Sequence, residues 1–283
     1  MNLDCSFESQ RHISNMAEAL RYWSECRPDD AAVYFTDGED EEIRWSFADL
    51  DRGARAVAAR LQASDMRGQR AVLMFPPGLE FIKALFGCLY AGVVAVPAFP
   101  PRRNRNVNRV SVISEDSQAQ VVLGTSTSLV RTRENLANAP RLGDLFWLAV
   151  DEVDDSEASA YQIHECQPDE LAVLQYTSGS TGSPKGVMLT HNNLIHNVNV
   201  IGHCFETSTK TVGLSWLPMY HDMGLVGGIL QPMFAGCTSV IMSPMSFLQK
   251  PVRWFKAVTK YGVTISGGPN FAYQLCLQKV TDD

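Results

Sequence analysis

Between Tyr176 and Gly186 the chain reads YTSGSTGSPKG, small hydroxyl residues and glycines in alternation, closed by a proline and a lysine. Such a run offers little to a core. Its residue types suit anion gripping: glycines let backbone N–H groups approach closely, serine and threonine hydroxyls add donors, and Lys185 supplies a compact positive charge. The chemistry this points to is phosphate binding. The alternative is a loose linker, disfavoured because LAVLQY (171–176) before the run and GVMLT (186–190) after it read as strands of one structured unit.

Two familiar phosphate loops are excluded. A Walker A loop, GxxxxGK(S/T), needs glycine directly before lysine and a hydroxyl directly after, whereas Pro184 and Gly186 flank Lys185. A GxGxxG dinucleotide turn fails because the glycines fall at 179, 182 and 186. A second stretch that could do chemistry is SWLPMYHDMGLVGGIL (215–230), which sets His221 between Tyr220 and Asp222 at a predicted strand-to-helix transition. On residue types alone, a histidine beside an apolar helix is more often a satisfied structural group than a catalytic one. Asp222 reads as the N-cap of a helix over Met223–Phe234. His191, His196 and His203 do not recur at a spacing that gathers them on one compact metal face, so they read as structural.

Composition narrows the function classes. The 283 residues are 45% hydrophobic, enough apolar material for a sizeable core in one lobe or two. A net charge of −7, from 24 basic and 31 acidic residues, argues against sequence-independent binding to nucleic acid or an anionic membrane. The basic cluster Arg102, Arg103, Arg105 and Arg109 reads as a solvated loop rather than an anion site. Seven scattered cysteines without a C-x-x-C pair suit reduced thiols better than a disulfide framework or a zinc site. The polar start, MNLDCSFESQRH, is not a signal peptide, and no apolar run approaches the ~18 residues of a membrane span. A cytoplasmic location is expected.

The elements that must hold these residues alternate between strand-like and helix-like segments, which predicts an α/β fold with largely parallel sheets flanked by helices. Asn15 with Glu18 reads as a capping box opening a helix that stops by Pro28; Ser46 with Asp49 opens another to about Ala63. AVLMF (71–75), PPG, LEFIKALFGCLYAG and VVAVPAF give strand, turn, helix and strand, a βαβ unit. QVVLGT and LFWLAV read as further strands around a helix over Leu129–Asn138. The acidic stretch 151–170 reads as a surface connection. GVMLTHNNLIHNVNVIGHC reads as a strand passing into a helix capped near Thr190.

The run Tyr176–Gly186 resembles, at every position, the signature loop YTSG(S/T)TGxPKG of the adenylate-forming superfamily. SWLPMYHDMGLVGGIL is similar to that superfamily's second motif, and its YHDMGL form most resembles the fatty acyl-AMP ligases. MSPMSFLQKPVRWF (242–255) and SGGPNFAYQLC (266–276) look like the same branch. The likeness covers almost the whole chain and is strongest from Leu171 onward. It implies an incomplete N-terminal AMP-binding domain with lobes at 1–165 and 166–283 and no C-terminal lid domain.

It also implies roles. Thr177, Ser178, Gly179, Ser180, Thr181 and Gly182 would hold the β and γ phosphates of ATP, with Thr177 a Mg²⁺ ligand and Lys185 a phosphate contact. His221 would lie against the acyl carboxylate and the α-phosphate. An apolar acyl pocket would draw on Met223, Gly224, Val226 and Gly227, and on Gly267, Gly268, Pro269, Asn270, Phe271 and Tyr273; core packing is the alternative for each. The glycines at 267 and 268 are the better candidates, because glycine admits a ligand against the backbone. A fatty carboxylate is already ionised near neutral pH, so no Ser-His-Asp triad is required, and catalysis would rest on positioning and charge neutralisation.

The expected activity is ATP-dependent conversion of a medium- or long-chain fatty acid to acyl-adenylate and pyrophosphate, with transfer to an acyl carrier protein. An acyl-CoA ligase is the alternative from the same chemistry, decided by an insertion expected beyond Asp283. A module that binds nucleotide or lipid without turnover is the alternative from another class. In proteins of this resemblance the adenine- and ribose-binding segments, an acidic Mg²⁺ partner and a mobile lysine follow the equivalent of Asp283, so residues 1–283 alone are not expected to turn over.

Overall fold

The structure, a computed structural model, describes residues 13–99, 107–134, 140–177 and 184–280. In chain order its elements begin with α1 (Met16–Cys26), β1 (Ala31–Thr36), β2 (Glu42–Ser46), α2 (Phe47–Ala63), β3 (Arg70–Met74), α3 (Leu79–Ala91), β4 (Val94–Ala98) and α4 (Val107–Asp116). There follow β5 (Val121–Gly124), α5 (Ser126–Arg133), α6 (Pro140–Gly143), β6 (Phe146–Ala149), β7 (Leu171–Thr177), β8 (Lys185–Thr190) and α7 (His191–Cys204). The last are β9 (Val212–Ser215), a π-helix (Met223–Leu230), α8 (Gln231–Ala235), β10 (Thr238–Met242), α9 (Pro244–Gln249), α10 (Val252–Tyr261), β11 (Ile265–Ser266) and α11 (Asn270–Lys279).

The local signals place the helices. Glu18 N–H donates to Asn15 Oδ1 at 2.9 Å, and the Glu18 carboxylate accepts from Ser14 N–H, so the returning half of the capping box closes one residue earlier than expected. At α2 the box is reciprocal: Asp49 N–H donates to Ser46 Oγ at 3.1 Å and Ser46 N–H to Asp49 Oδ2 at 3.0 Å. Asn193 N–H donates to Thr190 Oγ1, capping α7 where the sequence suggests. Helix α5 begins three residues before Leu129, because Thr125 caps it through Ser128 N–H; residues 135–138 of the expected helix lie outside the described residues.

The chain divides into two compact units, one drawing on 19–49 and 196–280 and the other on 14–18 and 50–195 among the described residues. The first unit holds a five-stranded sheet, β11-β9-β10-β1-β2, parallel except for the β1–β2 pair. The second holds a six-stranded sheet, β6-β5-β3-β4-β7-β8, parallel except for β7–β8. This is the α/β architecture expected, with one antiparallel edge strand on each sheet. The division differs from a single boundary at residue 165. Strand β7 is buried along its middle and needs ladder partners on both sides, and it finds them in β4 and β8, so the glycine-hydroxyl run belongs with the βαβ unit.

In the second unit, α3 is buried along nearly its whole length, as its largely apolar sequence, interrupted by Glu80 and Lys83, requires. It ends at Gly92 with φ 66°, and a Cβ there would meet the His164 ring at 2.7 Å. The acidic connection 151–170 is therefore not wholly superficial: it buries Val153, His164 and Cys166, with His164 Nε2 3.0 Å from Glu170 Oε1. In the first unit, Trp23 is fully buried and donates from Nε1 to Phe234 O at 3.0 Å. None of the six described cysteines forms a disulfide.

Candidate functional site

The glycine-hydroxyl run starts at the end of strand β7 and finishes at the start of strand β8. Strands β7 and β8 pair antiparallel, with Tyr176 opposite Gly186 and Thr177 opposite Lys185 as the last rung. Tyr176 and Gly186 anchor its base. The Tyr176 hydroxyl donates to Asp116 Oδ2 at 2.5 Å, while a Cβ on Gly186 would stand 3.0 Å from the Tyr176 ring. Burial, then the Asp116 carboxylate, push the phenol well above its ordinary value, so it stays a donor.

Above that base the chemistry is exposed. Thr177 and Lys185 are both open to solvent, and Lys185 has no ion pair among the described residues. A hydroxyl and an ammonium facing each other across one rung suit a polyanion and, through the hydroxyl oxygen, a hard cation that keeps most of its water. Ser178, Gly179, Ser180, Thr181 and Gly182 lie outside the described residues.

In the other unit, β9 leads through Trp216 and Pro218 to His221. Asp222 precedes the next helix and accepts from the N–H of its first residue, Met223, at 2.7 Å, rather than from the second or third N–H as an N-cap usually does; it also pairs with His221 Nδ1. The next eight residues, MGLVGGIL, form a π-helix rather than the α-helix expected over Met223–Phe234. Wide-turn helix is uncommon and concentrates at functional sites. Two features favour it here. A Cβ on Gly224 would stand 2.1 Å from Pro218 O, so only glycine lets the first turn pack there. Pro232 has no N–H for the carbonyl of Gly228, which accepts instead from the buried Ser239 hydroxyl at 2.7 Å.

Beside this helix lies a cavity of about 210 Å³. At one end it is bordered by Leu217, Met223, Gly267 and Gly268, at the carboxyl ends of β9 and β11. Three glycines on its wall, Gly213, Gly227 and Gly267, have nothing within 4 Å of a would-be Cβ, so each leaves space that a side chain would fill. The lining is mostly apolar, which suits a hydrocarbon chain.

The structure therefore brings Thr177 and Lys185 together in one unit, and Met223, Gly227, Gly267 and Gly268 around one cavity in the other. His221 is exposed and stands two residues before Met223 in the chain, but does not itself line the cavity. Gly224 and Val226 do not line the cavity; Gly224 serves close packing. Pro269, Asn270, Phe271 and Tyr273 do not line it either. Helix α11 turns Phe271 edge-on to Trp216 and Tyr273 against Trp254, leaving both half exposed. His191 is buried and burial holds its imidazole down to about 4, while His196 and His203 are exposed, so the three share no face. Sequence reasoning missed Gly213, Thr207 and Gln231, which also line the cavity. Gly213 carried a usable signal, a glycine inside a strand.

Comparison with known proteins gives this geometry a context. The AMP-binding enzyme family matches residues 20–283. The chain is 41% identical over 278 residues to the medium-chain-fatty-acid–acyl-carrier-protein ligase JamA of Moorena producens, covering 96% of this chain and 47% of that protein. It is 35% identical to TtuA of Teredinibacter turnerae, a ligase of the same description, covering 96% and 46%. Among solved structures, it is similar to a fatty acyl-adenylate ligase from L. pneumophila in complex with acyl adenylate and pyrophosphate. That similarity has a TM-score of 0.90 at 36% identity, over 97% of this chain and 48% of that one. The chain thus spans about half the length of the curated relatives it matches. No described helix is long and apolar enough to cross a membrane.

Proposed function

The chain belongs to the AMP-binding enzyme family, and from that premise we propose that it forms the phosphate-gripping and acyl-binding part of a fatty acid-AMP ligase. The reaction joins a medium- or long-chain fatty acid to the AMP portion of ATP, releasing pyrophosphate. The acyl group then passes from the adenylate to the thiol of an acyl carrier protein, forming a thioester and releasing AMP and the thiol proton. The observation that carries this reading is the largely apolar, glycine-walled cavity bordered by Met223, two residues after His221 in the chain. The exposed Thr177–Lys185 rung on the YTSGSTGSPKG hairpin supports the nucleotide half.

The residues fit those tasks. When bound, ATP with Mg²⁺ supplies an electrophilic phosphorus and a leaving group. Lys185 and the hydroxyl and N–H donors of the glycine-hydroxyl run offset the charge that otherwise repels a carboxylate from a polyphosphate, and Thr177 offers the cation one hydroxyl oxygen. The cavity takes up the acyl chain, removing its apolar surface from water and holding the carboxylate at the end marked by Met223. No base is needed, since the acid is already ionised. The exposed imidazole of His221 orients a carboxylate oxygen by hydrogen bonding.

The test is fatty-acid-dependent ATP–pyrophosphate exchange by the polypeptide of the complete reading frame, with Mg²⁺ and acids from butyrate to palmitate. Exchange and acyl-adenylate are expected with medium or long acids. Subsequent loading of a carrier protein in preference to coenzyme A separates this reading from an acyl-CoA ligase. Failure of every fatty acid to support exchange overturns it.

A further inference from the structure

The cavity does not end as an apolar tunnel would. It runs along β9, whose four residues at about 3.3 Å each give a path of roughly 13 Å. The Met223 end lies at the carboxyl ends of the strands. The opposite end is bordered by Thr207, Thr211, Gln231 and Cys237, at the amino ends of β9 and β10. Thr211 and Cys237 have partners there: Thr211 Oγ1 accepts from Ser208 N–H at 3.0 Å, and Cys237 Sγ donates to Ser208 O at 3.2 Å.

Thr207 and Gln231 are different. They are 6% and 5% exposed, and Gln231 Nε2 donates to Thr207 Oγ1 at 2.8 Å. Neither side chain has another hydrogen-bond partner among the described residues. The Thr207 O–H and the Gln231 amide oxygen are then both unspent. Turning the amide over makes Thr207 the donor and leaves the two N–H groups of Gln231 unspent, so either orientation keeps a donor and an acceptor in reserve. Buried polar groups with capacity to spare favour a ligand that completes them.

We propose that Thr207 and Gln231 recognise a hydroxyl group at or near the distal end of the acyl chain, making the substrate a hydroxylated fatty acid. This rests on the acyl-ligase reading above. A hydroxyl both donates and accepts, so one group satisfies both members of the pair. A methyl-ended chain long enough to reach them displaces any water there and leaves two dry polar groups, whereas a shorter chain does not reach. A site built to hydrogen-bond a substrate hydroxyl discriminates against the analogue lacking it.

The experiment compares kcat/KM for adenylate formation by the full-length enzyme on two series, plain acids from hexanoate to palmitate and their ω-hydroxy counterparts. At the chain length that reaches the pair, the hydroxy acid is expected to exceed its plain counterpart by about tenfold or more. Thr207→Val with Gln231→Leu is expected to abolish or invert that preference, while Thr207→Ser retains it. If the double variant fails to fold, Thr207→Val alone, nearly isosteric, supplies the comparison. Equal use of both series at every length, or a preference that survives loss of the Thr207 hydroxyl, overturns the inference alone. Use of neither series overturns the ligase reading and this inference with it.

Discussion

Thr177 and Lys185 stand opposite each other on the last rung of the β7–β8 ladder, a hydroxyl and an ammonium that has no ion pair among the described residues. Because both are exposed and the hairpin is anchored below them by Tyr176, their chemistry is separable from the core. Lys185→Ala in the full-length enzyme is expected to lower ATP–pyrophosphate exchange by about a hundredfold or more, the cost of losing a charge-assisted contact in a preorganised site. The melting temperature should hardly move. An undiminished exchange rate removes Lys185 from the site.

His221→Ala tests the other unit. Its side chain is 63% exposed and pairs with the equally exposed Asp222, so little packing is lost on truncation. Acyl-adenylate formation is expected to slow markedly with the thermal melt unchanged. A variant that unfolds at lower temperature while keeping its rate per folded molecule assigns His221 to structure.

Gly227 faces open space on the cavity wall, with its backbone outside the left-handed region, so a Cβ there meets no clash or backbone strain. Gly227→Leu is expected to fill part of the cavity and shift acid preference toward shorter chains, cutting kcat/KM on the longest acids by about tenfold or more. Chain-length profiles of the two proteins decide it. Superimposable profiles place the acyl chain elsewhere.

Tyr176→Phe keeps the ring that packs on Gly186 and removes the hydroxyl that binds Asp116. The expected loss is about 1 kcal/mol, read as a lower urea midpoint at unchanged slope. No shift in midpoint means the hydrogen bond is matched by water in the unfolded chain.

His191 is buried at the head of α7, and burial lowers its folded value from 6.5 to about 4. Below the unfolded value the unfolded chain takes up a proton that the folded chain refuses. Stability is therefore full above about pH 6.5 and is lost as pH falls toward 4, by on the order of 3 kcal/mol. His191→Gln is expected to flatten this part of the stability profile in urea titrations across that window. An unchanged slope assigns the acid sensitivity to other groups.

The parts of this protein legible in its sequence are those set by short-range forces. Capping at Asn15 and Glu18 and at Ser46 and Asp49 uses hydrogen bonds three residues apart, and the strand-helix-strand unit over 70–98 follows from hydrophobic runs broken by glycine and proline. The phosphate-binding role proposed for YTSGSTGSPKG likewise rests on its residue types. Other features came from contacts between distant segments. That Thr177 faces Lys185, and that their hairpin joins the βαβ sheet rather than the strands after it, is decided by β7 finding β4 as its parallel partner. The π-helix depends on Pro218 crowding Gly224 and on Ser239 taking over the carbonyl that Pro232 leaves unpaired. The cavity is the space left where α7, β9, the π-helix, β10 and β11 pack together. Thr207 and Gln231 meet in its wall from 24 residues apart, a distance at which no periodicity or local propensity could signal that they share a hydrogen bond.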